Sequence, residues 1–348
     1  MAYTTIDDPS AYFQTALYTG NASDGLAITF DGNSDLQPDW VWIKPRSFSG
    51  FGVVTDTNRG LTKNIYPNSN DAEETNTNRI QSMNSDGFTI NNDSDTINKD
   101  SQTFAAWSWK ANGGTTSSNG SGSITSTVQA NTTAGFSIAT YTGNDTDGAT
   151  FGHGLGAVPH FATIKKRSAG GNWMTYHSAM GADKAVFLDL TNAIESASFY
   201  QETPTSTLIT LNDHGNVNGS GSPTYICYSF APIQGFSKFG KYNGNNNADG
   251  PFVYTGFKPA FLILKNIDDG VDWYMFDNKR DTDNVVQNIL HPNKTDAASD
   301  SAVCDFLSNG FKFRTADNAW NGASDNYIYA AWAESPFVSS KGVPTTAR

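Results

Sequence analysis

Positions 259–265 read Pro-Ala-Phe-Leu-Ile-Leu-Lys, and the same frame occurs earlier as Pro-His-Phe-Ala-Thr-Ile-Lys at 159–165 and Pro-Asp-Trp-Val-Trp-Ile-Lys at 38–44. Each copy starts with proline, carries an aromatic ring two positions later and an aliphatic residue five positions later, and ends in lysine. Proline suits the first residue of a strand, and aromatic and β-branched residues suit its interior. The frame therefore predicts a β-strand that is entered through a rigid corner and left at a polar edge.

The residues upstream of the frame recur with it. A tyrosine followed by a Gly-Asn turn occurs at 18–21, 141–144 and 242–245, and an Asp-Gly pair follows each turn. The frame lysines Lys44 and Lys165 are 121 residues apart, and Lys165 and Lys265 are 100 apart. The recurrence of the whole neighbourhood predicts three copies of one structural unit.

The residues downstream of the frame follow the same period. Twelve positions after the lysines stand Asp56, His177 and Asp277. A small-residue and aromatic strand lies near the end of each unit, and we take Trp107, Phe230 and Trp332 as its equivalent rings, at steps of 123 and 102 residues. These steps agree with the lysine steps within two residues, so tandem repetition is predicted.

Length and composition indicate the class of each unit. The chain has 348 residues, and repeats of roughly 100 to 120 residues have the usual size of a domain. Aromatic residues make up 13% of the chain, charged residues only 16%, and 32 residues are glycine, which is typical of a β-rich protein with many turns. Short alternating strands between turn signals predict an all-β protein of three tandem antiparallel β-sandwich repeats.

The chain divides into six predicted segments: an N-terminal arm at 1–11, a first repeat at 12–111, a Gly/Ser-rich linker at 112–134, a second repeat at 135–234, a third repeat at 235–337 and a polar C-terminal tail at 338–348. The arm has no counterpart in the repeats, and it either docks on a neighbouring subunit or is disordered. The linker composition is typical of a flexible connection, with one strand-like stretch at 124–128.

Charge and hydropathy exclude several classes of protein. The formal net charge is −12 and the basic residues are scattered, which argues against a nucleic-acid partner. No apolar run approaches the roughly 18 residues of a membrane span, so membrane insertion is not expected. The first residues lack the basic and apolar blocks of a signal peptide, which predicts synthesis in the cytoplasm without export by that route.

The polar residues suggest no catalytic, cofactor or metal site. The five histidines show no metal-binding spacing and are interpreted as surface or turn residues, and Cys227 and Cys304 as small core residues. The glycine-rich stretch 152–156 lacks the dinucleotide-binding spacing. A smaller set of carboxylates leaves glycosidase or calcium chemistry as the alternative to turn-forming roles: Asp93, Asp95, Asp145, Asp147, Asp268 and Asp269.

Four aromatic residues downstream of the frames have two interpretations. Trp173 and Trp273 stand eight positions after their lysines, with Tyr176 and Tyr274 nearby. Their equivalent placement favours packing in the core or between units. The alternative is a sugar-binding surface, since exposed rings in a weakly charged, Asn-rich and Asp-rich setting suit that role, and these four are then its candidate binding residues.

The repeated motifs resemble a repeat found in virion structural proteins of marine tailed bacteriophages. The resemblance rests on Tyr-Thr-Gly-Asn, Gly-x-x-Pro-x-Phe-x-x-Ile-Lys, Asn-Trp-Met-Thr-Tyr-His, Ser-Asn-Gly-Phe-Lys and the stretch 235–240, and it covers roughly 12–337. It implies a structural component of the virion, often accompanying tail fibres and other appendages. It implies no catalytic residues.

We therefore expect a non-enzymatic virion protein, a tail-fibre or receptor-binding appendage subunit that contacts other virion proteins and a host-surface glycan or receptor. Small β units on fibres commonly need partners to cover their edges, which favours a homo-oligomer and in particular a trimer. Two alternatives stay open at this point. One is a capsid decoration or vertex protein, and the other is a glycan-binding or glycan-degrading module.

Overall fold

The computed structural model of the protein describes residues 2–196 and 199–345, and its strands form several antiparallel sheets with very little helix. The all-β prediction is confirmed. We call 12–111, 135–234 and 235–337 the first, second and third units. A short 3₁₀ helix (Pro9–Ala11) precedes the first unit, and one short α-helix, α1 (Asn318–Asn321), lies in the third.

The first unit consists of two sheets. They have the orders β1-β9-β3-β4-β5-β6 and β2-β8-β7. The bounds of these strands are β1 (Phe13–Thr19), β2 (Leu26–Ile28), β3 (Trp40–Pro45), β4 (Val53–Asp56), β5 (Lys63–Ile65), β6 (Glu74–Thr75), β7 (Ile80–Asn84), β8 (Gly87–Ile90) and β9 (Thr103–Trp109).

The second unit has a large sheet, β10-β11-β12-β19-β14-β15-β16-β17, and a small one, β13-β18. Its strands, including two from the segment before it, are β10 (Ser117–Asn119), β11 (Ser126–Asn131), β12 (Phe136–Thr142), β13 (Ala149–Gly152), β14 (Phe161–Lys166), β15 (Met174–His177), β16 (Lys184–Phe187), β17 (Glu195–Ser196), β18 (Leu208–Leu211) and β19 (Thr224–Phe230).

The third unit has two four-stranded sheets, β20-β27-β22-β23 and β21-β26-β25-β24. Its strands are β20 (Ser237–Asn243), β21 (Phe252–Tyr254), β22 (Phe257–Asn266), β23 (Trp273–Asp277), β24 (Val286–Ile289), β25 (Ser299–Leu307), β26 (Gly310–Phe313) and β27 (Asn326–Pro336).

The frame strand occupies the same place in all three units. The neighbours are β9-β3-β4, β19-β14-β15 and β27-β22-β23, and in each case the frame ring pairs with an aromatic residue of the last strand. These register pairs are Trp40 with Trp109, Phe161 with Phe230 and Phe261 with Trp332. Trp109 is therefore the ring equivalent to Phe230 and Trp332. The prediction that Trp107 is the equivalent ring is wrong by two residues.

The tyrosine turns are fixed by the same contacts in each unit. The phenol donates to a backbone carbonyl, and one residue further along lies a buried asparagine whose Oδ1 accepts the turn's backbone N–H. The phenol bonds are Tyr18 to Ile97 O (2.7 Å), Tyr141 to Val217 O (2.6 Å) and Tyr242 to Trp320 O (2.9 Å). The amide bonds are Asn21 N to Asn98, Asn144 N to Asn218 and Asn245 N to Asn321, each 2.8 Å.

Glycine is required in these turns because two backbone segments approach closely. A Cβ on Gly20 would lie 2.3 Å from the carbonyl oxygen of Lys99, and one on Gly244 would lie 2.0 Å from that of Gly322. Neither distance is compatible with a side chain, so only glycine fits there.

The frame strand is buried on both faces, which explains why it reads as an almost continuous apolar run. In β3, Val41 and Ile43 face the core of the first unit, whereas Trp40 and Trp42 belong to a second core that also contains residues of the other two units. The second and third units likewise have cores of their own. Three separate cores thus surround one shared central core.

The predicted flexible linker at 112–134 is wrong for much of its length. Strand β11 pairs along its whole length with β12, and β10 pairs with β11. Ser126 and Val128 are buried while Thr127 is exposed, which is the alternation of a strand with one covered face. The segment therefore extends the second unit's large sheet and covers the edge of β12.

The N-terminal arm docks on its own chain. Thr4 Oγ1 donates to Gln234 O at 2.8 Å, the Tyr3 hydroxyl donates to Gly256 O at 2.7 Å, and Ile6 is buried. The arm is predicted either to dock on a neighbouring subunit or to be disordered, and it instead contacts all three units of its own chain. Gln234 belongs to the second unit and Gly256 to the third, and Ser34 of the first unit donates its hydroxyl to Asp8 Oδ2 at 2.6 Å. Position 1 of the arm and positions 346–348 of the predicted tail lie outside the described residues.

Candidate functional site

Three rings from three units meet at the centre of the shared core. The ring centroids of Trp109, Phe230 and Trp332 are 6.1, 5.1 and 5.1 Å apart, and all three pairs are edge-to-face with interplanar angles of 65° to 73°. Edge-to-face contact is the favoured geometry of aromatic pairs. The arrangement places one residue of each unit in equivalent contact with the other two.

Backbone hydrogen bonds join the units in the same cyclic order. In each case the acceptor is the carbonyl two positions after a frame lysine, and the donor belongs to another unit. The bonds are Glu73 N to Arg167 O (2.9 Å), Ile194 N to Ile267 O (2.8 Å) and Ala298 N to Arg46 O (2.8 Å). The first unit thus contacts the second, the second the third and the third the first, through what we call the 1–2, 2–3 and 3–1 seams.

The residues twelve positions after the frame lysines lie in these seams. Tyr228 donates its hydroxyl to Asp56 Oδ2 at 2.6 Å, and Trp107 Nε1 donates to Asp277 Oδ2 at 3.0 Å. His177 Nε2 lies 3.0 Å from Tyr329 O. All three are fully buried. The interpretation of His177 as a surface or turn residue is therefore wrong; it holds two units together.

Both seam aspartates also pair with an arginine three positions later. Asp56 and Arg59 are 2.6 Å apart, as are Asp277 and Arg280, and all four side chains are completely buried. A carboxylate and a guanidinium can be buried together because each compensates the charge of the other. The recurrent Asp-x-x-Arg spacing was visible in the sequence but was not used to predict this pairing.

The four candidate sugar-binding aromatics are buried, which contradicts the alternative of an exposed sugar-binding surface and agrees with the favoured packing in the core or between units. Trp173, Tyr176 and Trp273 are each 1% exposed and Tyr274 is 8% exposed. The two indoles bridge units, since Trp173 Nε1 donates to Tyr66 O at 2.8 Å and Trp273 Nε1 donates to Phe187 O at 2.7 Å. The two tyrosines lie in the cores of their own units.

The frame lysines are buried as well, and not at a polar edge. Each ammonium donates to backbone carbonyls of nearby loops, and burial lowers the pKa of each lysine to about 8. The contacts are Lys44 Nζ to Lys294 O (2.5 Å), Lys165 Nζ to Gly171 O (2.6 Å), and Lys265 Nζ to Val271 O (2.7 Å) and Thr191 O (3.1 Å). The lysines of the first and third units therefore reach across a seam.

His177 is held as a neutral imidazole by its two contacts. Its Nδ1 accepts from Ala179 N at 3.1 Å, so Nε2 carries the hydrogen that is donated to Tyr329 O. Burial lowers the pKa of His177 from 6.5 to about 4. Between these two pH values the unfolded chain binds a proton that the folded protein does not, so the free energy of unfolding falls as the pH falls.

Between pH 7 and pH 5, the free energy of unfolding should fall by about 2 kcal/mol less in the variant His177→Gln than in the wild type, because glutamine does not titrate. Urea unfolding at the two pH values measures this difference. His214→Gln, at an exposed position, should keep most of the wild-type loss. Equal losses in the wild type and His177→Gln would contradict the assignment.

Several of the other polar candidates lie in structural contacts. His153 is buried, which is not the predicted surface position, and Asp93 pairs with Arg79 at 2.6 Å. Asp268 and Asp269 accept hydrogen bonds from Asn326 and Asn318. Cys227 and Cys304 are free and buried. Within residues 2–196 and 199–345, no group of three or more His, Cys, Asp or Glu side chains could hold a metal ion.

No helix in the described part of the chain is long and apolar enough to cross a membrane.

The chain matches no curated protein and no solved structure at a significant level. One protein family, described as Domain of unknown function (DUF7483), matches residues 8–336, a range that takes in the three frames, the seams and the shared core. Since the match extends over nearly the whole chain, the protein belongs to the DUF7483 family.

Proposed function

We propose that this protein is a non-enzymatic structural component of a bacteriophage virion, a tail-fibre or receptor-binding appendage subunit. The observation that carries the proposal is the use of the recurrent charged and aromatic residues. Asp56, His177, Asp277 and two of the three frame lysines, Lys44 and Lys265, are occupied in contacts between units and are buried away from any substrate. A chain whose charged residues join its three units to one another is suited to be a rigid structural component.

The resemblance of the repeated motifs to virion proteins supports the same proposal and directs it to appendages. The partners of such an appendage subunit are other virion proteins and a receptor or glycan on the host surface. Copies made in the host cytoplasm would be incorporated into the particle.

The homotrimer stays a prediction, but its original reason is weaker. Its reason is that small β units on fibres commonly need partners that cover their edges. Here the three units cover one another within one chain, through the shared core and the three seams. Analytical ultracentrifugation of the purified protein distinguishes a monomer from a trimer directly.

Quantitative mass spectrometry of purified virions tests the proposal. We expect tens of copies or fewer per particle, because appendages occupy few positions. Hundreds of copies would favour the capsid decoration alternative, and absence from the particle would contradict a virion role. Incubation with host polysaccharide addresses the remaining alternative, since release of reducing ends would require a glycan-degrading enzyme.

A further inference from the structure

Strand β21 forms one edge of the third unit's second sheet, β21-β26-β25-β24. Thr255 N donates to Asn309 O at 2.9 Å, so residue 255 and, by alternation, residue 253 face the neighbouring strand β26. Phe252 and Tyr254 therefore direct their backbone N–H and C=O groups away from the sheet. Among the described residues, no strand pairs with this side of β21.

A shared hydrogen bond aligns the three units at this edge. The glycine of each Asp-Gly pair donates its backbone N–H to a carbonyl of the opposite strand. These bonds are Gly25 N to Ile90 O (3.0 Å), Gly148 N to Leu211 O (2.9 Å) and Gly250 N to Phe313 O (3.2 Å). Counting on from the glycines, Phe252 corresponds to Ala27 and Thr150, and Tyr254 corresponds to Thr29 and Gly152.

In the second unit, a segment of the chain covers the equivalent edge. Ile124 N donates to Thr150 O at 2.8 Å, and Ser126 Oγ donates to Gly152 O at 2.6 Å. These two residues thus bind the outward-facing carbonyls of β13, and the segment closes this side of the unit. The protein therefore contains one example of an extended segment docked on an edge of this kind.

The third unit has no such segment, because the second unit continues into it directly. Strand β19 ends at residue 230 and β20 begins at residue 237. At the carbonyl equivalent to that of Gly152, the side chain of Lys238 takes the place of Ser126: Lys238 Nζ donates to Tyr254 O at 2.7 Å. A side chain thus caps one edge carbonyl, and the strand itself stays open.

Large apolar side chains stand at this open edge. Phe252 and Tyr254 are 47% and 48% exposed, whereas the first unit has Ala27 and Thr29 at the equivalent exposed positions. Phe252 Cε2 lies 3.0 Å from the position that a Cβ of Gly310 would take, so its ring lies over the glycine of β26. Aromatic rings pair favourably with aromatic and β-branched residues of an adjacent strand, and both rings are accessible to such residues.

Lys238 gives the same edge a positive charge that no carboxylate neutralises. In the part of the chain that the structure describes, Lys238 contacts only the carbonyl and the ring of Tyr254, with Nζ 5.1 Å from the ring centroid. A strand that pairs with Tyr254 would compete for that carbonyl, and a carboxylate on the strand would offer the ammonium a stronger partner. Lysine on an edge discourages unspecific pairing, so the charge favours an acidic partner.

We infer that Phe252, Tyr254 and Lys238, which we call the β21 edge, bind an extended peptide segment of another protein that adds a strand to this sheet. The segment carries aromatic or β-branched residues opposite the two rings and an Asp or Glu beside Lys238. That the partner is another protein of the virion rests on the proposed function. The addition of a strand does not.

A screen of the purified protein against a random dodecapeptide library, followed by titration of the enriched peptides, tests the inference. We expect these peptides to combine apolar residues with an Asp or Glu and to slow hydrogen exchange of the Phe252 and Tyr254 amides. The double variant Phe252→Ala, Tyr254→Thr inserts the residues of the first unit, and it should fold normally and bind at least about tenfold more weakly. The matched control Phe51→Ala, at another exposed aromatic residue, should bind like the wild type.

Two further variants separate the charge from the backbone. Lys238→Gln inserts the residue that the first unit has at the equivalent position 14, and it should weaken binding and reduce its dependence on salt. Tyr254→Pro removes the outward-facing N–H, and it should abolish binding.

Three outcomes of the screen would overturn the inference: no enriched peptide, enriched peptides without an acidic residue, or equal binding to the wild type and the double variant. Protection of the β21 amides that rises with protein concentration in the absence of peptide would also overturn it, because a second copy of the chain would then occupy the edge. None of these results bears on the virion proposal, which the copy number tests separately.

Discussion

Replacing Asp277 by alanine is expected to lower the free energy of unfolding by about 4 kcal/mol, because it leaves a buried guanidinium without its counter-charge. Asp277 lies 2.6 Å from Arg280 Nε and also accepts the indole N–H of Trp107 across the 3–1 seam. Arg280 Nη1 has no hydrogen-bond partner among the described residues even in the intact pair. Chemical denaturation at pH 7 measures the loss.

The second unit provides the matched control for this pair. His177 and Met180 stand there in place of Asp277 and Arg280. The double variant Asp277→His, Arg280→Met removes both charges together, so it should recover more than half of the loss caused by Asp277→Ala. The exposed Asp283→Ala should change stability by less than about 0.5 kcal/mol. A loss below about 1 kcal/mol for Asp277→Ala would show that the buried pair is not needed.

Replacing Trp332 by alanine should cost about 4 kcal/mol, within the usual range for removal of a buried tryptophan. Its ring lies 5.1 Å from Trp109, 5.1 Å from Phe230 and 5.6 Å from Phe261. Because these rings belong to three units, the cavity is shared by all of them. We expect hydrogen exchange to accelerate in the frame strands of all three units.

Trp332→Phe is the control, because phenylalanine occupies the equivalent position in the second unit. It keeps an aromatic ring at the centre and should cost less than half as much as the alanine variant. If exchange accelerated only in the third unit of Trp332→Ala, the central rings would not couple the units.

Local patterns predicted the class of fold because their causes are local. The apolar frame and its leading proline indicated a strand, and the tyrosine turns indicated tight backbone geometry; both are confirmed in the structure. Alternation within single strands was sufficient for an all-β prediction. These features depend on residues that are close together in the sequence.

The seams could not be predicted in the same way, since their partners are far apart in sequence. Trp173 reaches Tyr66 over 107 positions, and Asp277 reaches Trp107 over 170. Polar or aromatic residues that look suitable for a ligand are used instead to join units. The Gly/Ser-rich segment before the second unit was wrongly predicted to be flexible for another reason. Its strand propensity is weak, but pairing with β12 compensates for this.

The contact between the first and third units affects how the protein folds during its synthesis on the ribosome. The 3–1 seam joins Lys44 to Lys294, which are 250 positions apart. The surface by which the first unit contacts the third therefore stays uncovered until the third unit has been translated. Such late, long-range contacts are slow to form and leave apolar surface open to aggregation. Nascent chains arrested after the second unit should therefore depend on chaperones, whereas released full-length chains should not.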